Sequence, residues 1–383
     1  MKIAFCIENL VPARGGAEQY VKDLSRRVCE QGHEIHIFTL KSGIDDRDNL
    51  RIHLLKAPRR PKFLRTLSFA IKCRRRVRKE KFDIIHSFGR TWGMDVFQPL
   101  GGSQMASLRG NIRSIDNPLI KFLRILSYIF SLRRIAYFLV ESVQMKEARM
   151  VISISAMVKR DLKKFTTLQD DRIKIVRNGV SLEKFHPRNR DKYRDRIRRE
   201  MKLNDEDILI IFVAHNFRLK GLRPLIKTMA RLRSLHPDIS YKLGILGEGK
   251  KKKFSRYADR CGVGDNVIFI GSTDHAPGYY AAADISVHPS FYDPSALVVL
   301  EAMATGLPVI TTTYCGTSEI IENGREGFVV SDPNDINGLS ARILDLVDPD
   351  LRRAIGMRGR ERAEEFPYSR NMQEILDAYG ELS

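Results

Sequence analysis

Short apolar runs alternate along the chain with longer, helix-forming stretches. KIAFCIEN, HEIHIFTL, RIHLLK, FDIIHSF and MVISIS read as strands in the first half, and ILIIFVAH, YKLGILGE, NVIFIG, DISVHPS and PVITT repeat the pattern in the second. Alternation of this kind predicts parallel sheets covered on both faces. Two successive sets predict an α/β chain of two Rossmann-like, doubly wound parallel-sheet domains facing a cleft, with ligands outside the carboxyl ends of the strands. Between the sets lies HPRNRDKYRDRIRREMKLN, a polar stretch expected to bury little and to serve as the linker near residues 187–204. The domains are therefore drawn at 1–187 and 188–366. The closing segment 367–383 carries Met372, Ile375, Leu376 and Tyr379 at helical spacing and is expected to pack back on the first domain.

A length of 383 residues agrees with two cores. The five cysteines are scattered and form no CxxC pair, so no disulfide framework or structural zinc site is expected and a reducing compartment fits best. The N-terminal MKIAFCIENLVPARGG reads as a first strand rather than a signal peptide.

Charge changes the picture more. The net charge of +20 predicts attraction to an anionic partner. From Lys56 to Glu80 there are eleven Lys or Arg and one acid, interleaved with Phe63, Leu64, Leu67, Phe69 and Ile71. A second stretch, PLIKFLRILSYIFSLRRIAYFLV, is apolar but broken by Lys121, Arg124, Arg133 and Arg134, which leaves no charge-free run long enough to span a bilayer. Both stretches read as helices lying on an anionic membrane surface. A nucleic-acid partner is not expected, because no aromatic base-stacking pattern accompanies the charge.

The segment HPSFYDPSALVVLEAMATGLPVITTTYCGTSEII runs strand, loop, helix, strand, with Asp293 and Glu301 on either side of the helix start. Backbone N–H groups near Ser295, Ala296 and Leu297 would face an incoming anion, and the helix dipole adds partial positive charge, so a diphosphate could dock there without a metal. Glu301 would accept hydrogen bonds from two ribose hydroxyls, and Asp293 would sit beside the sugar. One decoy is GILGEGKK, which begins like a phosphate-binding loop but places Lys251 where Ser or Thr must hold Mg²⁺.

This segment resembles the signature of glycosyltransferase family 4, in which two glutamates eight residues apart precede an alanine-rich helix and a GLPVI-type strand. Within the family it is most similar to the lipopolysaccharide core enzymes that add glucose to heptose. Asp293 stands where the family has glutamate, one methylene shorter. PARGGAEQY resembles the family's first ligand loop and gives Gly15 and Gly16, with Glu18 just behind. NGVSLEKFHP resembles the segment at the domain junction, where Lys184 would face phosphate. FVAHNFRLKGL resembles the strand and loop whose basic pair grips the donor diphosphate; Lys220 takes the lysine position and Arg218 substitutes for the arginine. In HSFGRTWGMDVFQPLGGSQ, His86 and Asp95 would face the cleft, Asp95 orienting the acceptor.

The resemblance implies the GT-B fold and a retaining hexosyltransferase in which Asp293, Lys220 and Arg218 serve the chemistry. It implies no metal and no cofactor beyond the nucleotide sugar, expected to be UDP-glucose. The implied acceptor is a heptose of the lipopolysaccharide inner core, reached on the cytoplasmic face of the inner membrane. Another donor or acceptor, such as GDP-mannose or a lipid-linked glycan, is the alternative within the family; a sugar-nucleotide 2-epimerase is the rival enzyme class.

Overall fold

In the computed structural model, which describes residues 1–11 and 15–382, the chain forms two compact units. One comprises 1–177 with 369–383, the other 178–368. The N-terminal unit is built on β1 (Lys2–Cys6), β2 (Glu34–Thr39), β3 (Leu50–Leu54), β4 (Ile84–Ser87), β5 (Val96–Phe97), β6 (Met150–Ser153) and β7 (Ile173–Ile175). These pair in parallel in the order β3-β2-β1-β4-β5-β6-β7. The C-terminal unit is built on β8 (Ile208–Val213), β9 (Tyr241–Leu246), β10 (Val267–Gly271), β11 (Ile285–His288), β12 (Val309–Thr312) and β13 (Phe328–Val330). Its order is β10-β9-β8-β11-β12-β13, again parallel. Each sheet reverses its winding once, at β1/β4 and at β8/β11. These two points are where doubly wound sheets hold ligands.

The inner strands are buried on both faces, which is why they read as largely apolar runs, whereas the edge strands β3, β7 and β10 are only partly buried. In the N-terminal unit the closing helix Tyr368–Gly380 sends Ile375, Ala378 and Tyr379 into the core beside Ile3, Phe5 and Ile84. There the Tyr379 hydroxyl meets His86 Nδ1 at 2.6 Å.

The polar stretch expected to act as a linker behaves differently. It forms the helix Asn189–Glu200, which packs against the helix Ala276–Ala282 within the C-terminal unit. Arg194 and Arg198 reach the buried Asp284 at 2.8 and 3.2 Å, and Ile197 is buried beside them. Long arginine stems let a helix that looks wholly polar cover a core while satisfying a buried carboxylate.

The two basic stretches part company. The helix Lys62–Val77 buries Phe69, Ala70, Cys73 and Val77 with Ala4, Cys6 and Phe38, so most of its apolar face is a core face, while Leu64 and Ile71 look outward with its charges. The helix Pro118–Ile129 buries no residue. Among the described residues, no helix is long and apolar enough to cross a membrane.

Candidate functional site

The site of the C-terminal unit lies at its winding reversal. β8 ends at Val213 and leads into a turn carrying Lys220, while the neighbouring β11 ends at His288 and leads into the loop carrying Asp293. Gly221 locks the two together. It has φ +84°, and any side chain there would run into the Pro289 carbonyl. Asp293 is pinned through its backbone, with N donating to Tyr314 O at 2.9 Å and O accepting from Gly316 N at 2.7 Å.

On this frame three side chains meet. Lys220 Nζ lies 2.6 Å from Asp293 Oδ2 and donates to the Tyr292 carbonyl at 3.2 Å. His288 Nε2 lies 2.9 Å from the same carboxylate oxygen. Burial alone would raise the Asp293 carboxyl, but the Lys220 charge and the His288 hydrogen bond outweigh it and hold the group well below the usual carboxylate range. Burial lowers His288, with Lys220 adding to the effect and Asp293 opposing it. The imidazole is therefore neutral at pH 7. Because the ionised carboxylate only accepts, Nε2 carries the proton, which leaves Nδ1 as a buried acceptor without a protein partner.

Glu301 lies on the helix Leu297–Ala304, whose faces carry Val299, Leu300, Ala302 and Met303 into the core. The Tyr280 hydroxyl donates to Glu301 Oε2 at 3.0 Å and lies 3.2 Å from the Val298 carbonyl. Burial raises the Glu301 carboxyl, while Tyr280 and the charge of exposed Lys184 oppose the shift. Asp293 and Glu301 are thus unlike acids: the first is locked in an ion pair, the second is held by a single hydroxyl.

The other expected residues fall as follows. The helix starts at Leu297, so Ser295 lies outside it, Ala296 caps it without a side-chain bond, and the terminal donors are Leu297 and Val298. Arg218 is partly buried in the Lys220 turn, its carbonyl accepting from Gly221 N. In the N-terminal unit Gly15 precedes the helix Gly16–Glu30, and Glu18 sits in that helix's first turn. The rest of the expected PAR segment, residues 12–14, lies outside the described residues.

Asp95 requires a correction. It precedes β5, and its carboxylate accepts from Ile85 N at 2.9 Å near the amino end of β4. It therefore sits at the sheet edge opposite the one where a doubly wound sheet binds ligands, and it ties strands together instead of orienting an acceptor. His86 is likewise a core residue, its pKa lowered to about 3 by burial.

Sequence reasoning passed over His288 and Tyr280. His288 was legible, since HPS ends a strand five residues before Asp293; Tyr280 was hidden in GYYAAAD, where only the packing separates it from Tyr279. At the β1/β4 reversal it also passed over Glu8, flanked by Arg65 at 3.3 Å and Arg90 at 3.7 Å.

Two all-parallel Rossmann-like units, each with charged groups at its winding reversal, are the architecture of the GT-B fold. Residues 14–184 match Glycosyltransferase Family 4 and residues 193–362 match Glycosyl transferases group 1. The chain belongs to the glycosyltransferases, a family 4 domain followed by a group 1 domain. It is 23% identical over 337 residues to the lipopolysaccharide glucosyltransferase WaaG of Escherichia coli, covering 87% of this chain and 86% of that one. A solved WaaG structure superposes with a TM-score of 0.82 at 21% identity, covering 98% and 99% of the two chains. The D-inositol 3-phosphate glycosyltransferase of Pseudarthrobacter chlorophenolicus is 28% identical over 400 residues, 95% of this chain and 90% of that one. Anabaena HepE, solved in complex with UDP and glucose, superposes with a TM-score of 0.72 at 17% identity over 99% of each chain.

Proposed function

We propose that the protein transfers glucose from UDP-glucose, with retention and without a metal, to a heptose of the lipopolysaccharide inner core, working from the cytoplasmic face of the inner membrane. The observation that carries the donor half is the pairing at one winding reversal of an anion-facing helix start, Leu297–Val298, with Lys220 and Glu301. The diphosphate would take the helix N–H groups and the free valence of Lys220, and Glu301 would take the ribose. Asp293 holds Lys220 and His288 in place beside the sugar, so its shorter side chain acts through the ion pair. HepE was solved with UDP and glucose, which supports the donor, and the WaaG likeness supports the acceptor.

The membrane half rests on the helix Pro118–Ile129 and the residues after it. Leu119, Phe122, Ile129 and Phe130 are 65%, 58%, 61% and 79% exposed, and residues 118–134 contain four basic side chains and no acid. Arg134 stacks 4.1 Å over the Tyr128 ring, holding the corner between this helix and Leu132–Glu147. An apolar face ringed by cations suits an anionic leaflet.

The likeness to a D-inositol 3-phosphate glycosyltransferase favours a second reading, a small phosphorylated acceptor near Arg65 and Arg90. Incubation with UDP-glucose and either truncated lipopolysaccharide or inositol 3-phosphate, followed by mass analysis, separates the two. One added hexose on the lipopolysaccharide, surviving EDTA and falling at least about 100-fold in Lys220→Ala, is expected. Hexose on neither acceptor rejects both readings.

A further inference from the structure

The C-terminal unit contains a cavity of about 470 Å³ away from the Lys220–Asp293 pair, lined by Arg190, Arg352, Arg353, Asp284, Asp350 and Tyr280 among others. Its size suits a small organic ligand. Its charge is unbalanced. Asp284 is already bound by Arg194 at 2.8 Å, Arg198 at 3.2 Å and the backbone N–H of Leu209 at 2.9 Å. Arg190 comes third to the same carboxylate at 3.8 Å, with half of its side chain exposed. Burial lowers the Arg190 pKa and the neighbouring charge of Arg194 lowers it further, with Asp284 opposing, so this guanidinium is crowded by cations and short of anions. Arg352 is anchored by donating to the Leu346 carbonyl at 3.0 Å, which fixes its fork at the cavity wall. Asp350, exposed at the rim, is the other acid of the lining. Leu307, Pro308 and Met357 supply an apolar wall for the body of a ligand.

We propose that this cavity is a second ligand site, selective for a sugar-sized molecule bearing a phosphate group, and that its occupant tightens nucleotide binding at Glu301 through Tyr280. Guanidinium forks match phosphoryl oxygens two at a time, and several converging on one anion discriminate against neutral sugars. Tyr280 connects the two places: the residue borders the cavity and its hydroxyl holds Glu301. A ligand packed against this residue presets the carboxylate for the nucleotide, and linkage requires the nucleotide to tighten the ligand equally. The coupling rests on the nucleotide reading of Glu301; the anion site does not.

The test is calorimetric titration of the full chain with ribose 5-phosphate, with ribose as the uncharged control. One molecule is expected to bind per chain while ribose does not. Arg190→Ala/Arg353→Ala should weaken it at least about tenfold, as should Arg353→Glu alone at its exposed position, and Lys220→Ala should leave it unchanged. No binding, equal binding by the arginine variants, or loss in Lys220→Ala would overturn the site. Saturating ribose 5-phosphate should raise UDP affinity on the order of fivefold in the wild type and not in Tyr280→Phe. An unchanged UDP affinity in the wild type would overturn the coupling. If UDP does not bind at all, the nucleotide reading falls, and the first titration still decides the cavity.

Discussion

The helices Lys62–Val77 and Pro118–Ile129 look alike in sequence, each mixing Leu, Ile and Phe with Lys and Arg and containing no acid. One puts Phe69 and Cys73 into a sheet face; the other buries nothing. The difference is that the first lies over β1 and β2, where Ala4, Cys6 and Phe38 leave an apolar surface to be covered, whereas the second buries none of its residues. Amphipathicity says that a helix has an apolar face; only the fold says what that face meets. The Pro118–Ile129 face is large for one left to water, and such patches mark interaction surfaces.

The contrast can be broken by substitution. Phe69→Asp should destabilise the N-terminal unit by about 4 kcal/mol or more, read as a fall in denaturation midpoint, because it buries an unpaired carboxylate. Phe122→Asp should leave that midpoint unchanged and instead cut binding to anionic liposomes about tenfold, the loss expected for withdrawing one phenyl ring from the interface. If Phe122→Asp unfolded the protein, the two helices would be the same kind of element after all. Arg124→Glu should weaken the same binding severalfold, with the loss shrinking in high salt, since each basic residue near such a leaflet contributes about 1 kcal/mol.

The smallest effect belongs to the helix that follows, Leu132–Glu147. Burial pushes the Glu141 carboxyl up to about 7, against the opposing hydrogen bond from Gln104 N. The folded protein then holds a proton that the unfolded chain has released, so this group's contribution is fully present below its ordinary pKa and is lost as pH rises towards 7. The stability gap between wild type and Glu141→Gln should therefore move in favour of the wild type as pH falls from 7 to 5. A gap that is flat across this range would contradict the raised carboxyl.

Much of this was legible in advance. The alternating runs read out ten of the thirteen strands among the described residues, because strands covered on two faces are largely apolar, and missed β5, β7 and β13, which are only two or three residues long. Glu301 and the helix start followed from residue type and spacing, and Lys220 from the resemblance to family 4. What was not legible depended on partners distant in sequence. Asp95 lies at the amino end of its strand rather than the carboxyl end, a distinction that turns on where a two-residue strand begins. Arg194 and Arg198 read as solvent charges until Asp284, far along the chain, claims them. Tyr280 gains meaning only when the packing brings its hydroxyl to Glu301.

The central claim is that the C-terminal unit holds a nucleotide sugar by Glu301. Calorimetric titration of UDP-glucose into the wild type and Glu301→Ala tests it most directly. The account predicts one molecule bound per wild-type chain and at least about tenfold weaker binding in the variant, the scale of two lost charge-assisted hydrogen bonds. Equal affinity in both proteins, or no binding by the wild type, would contradict it.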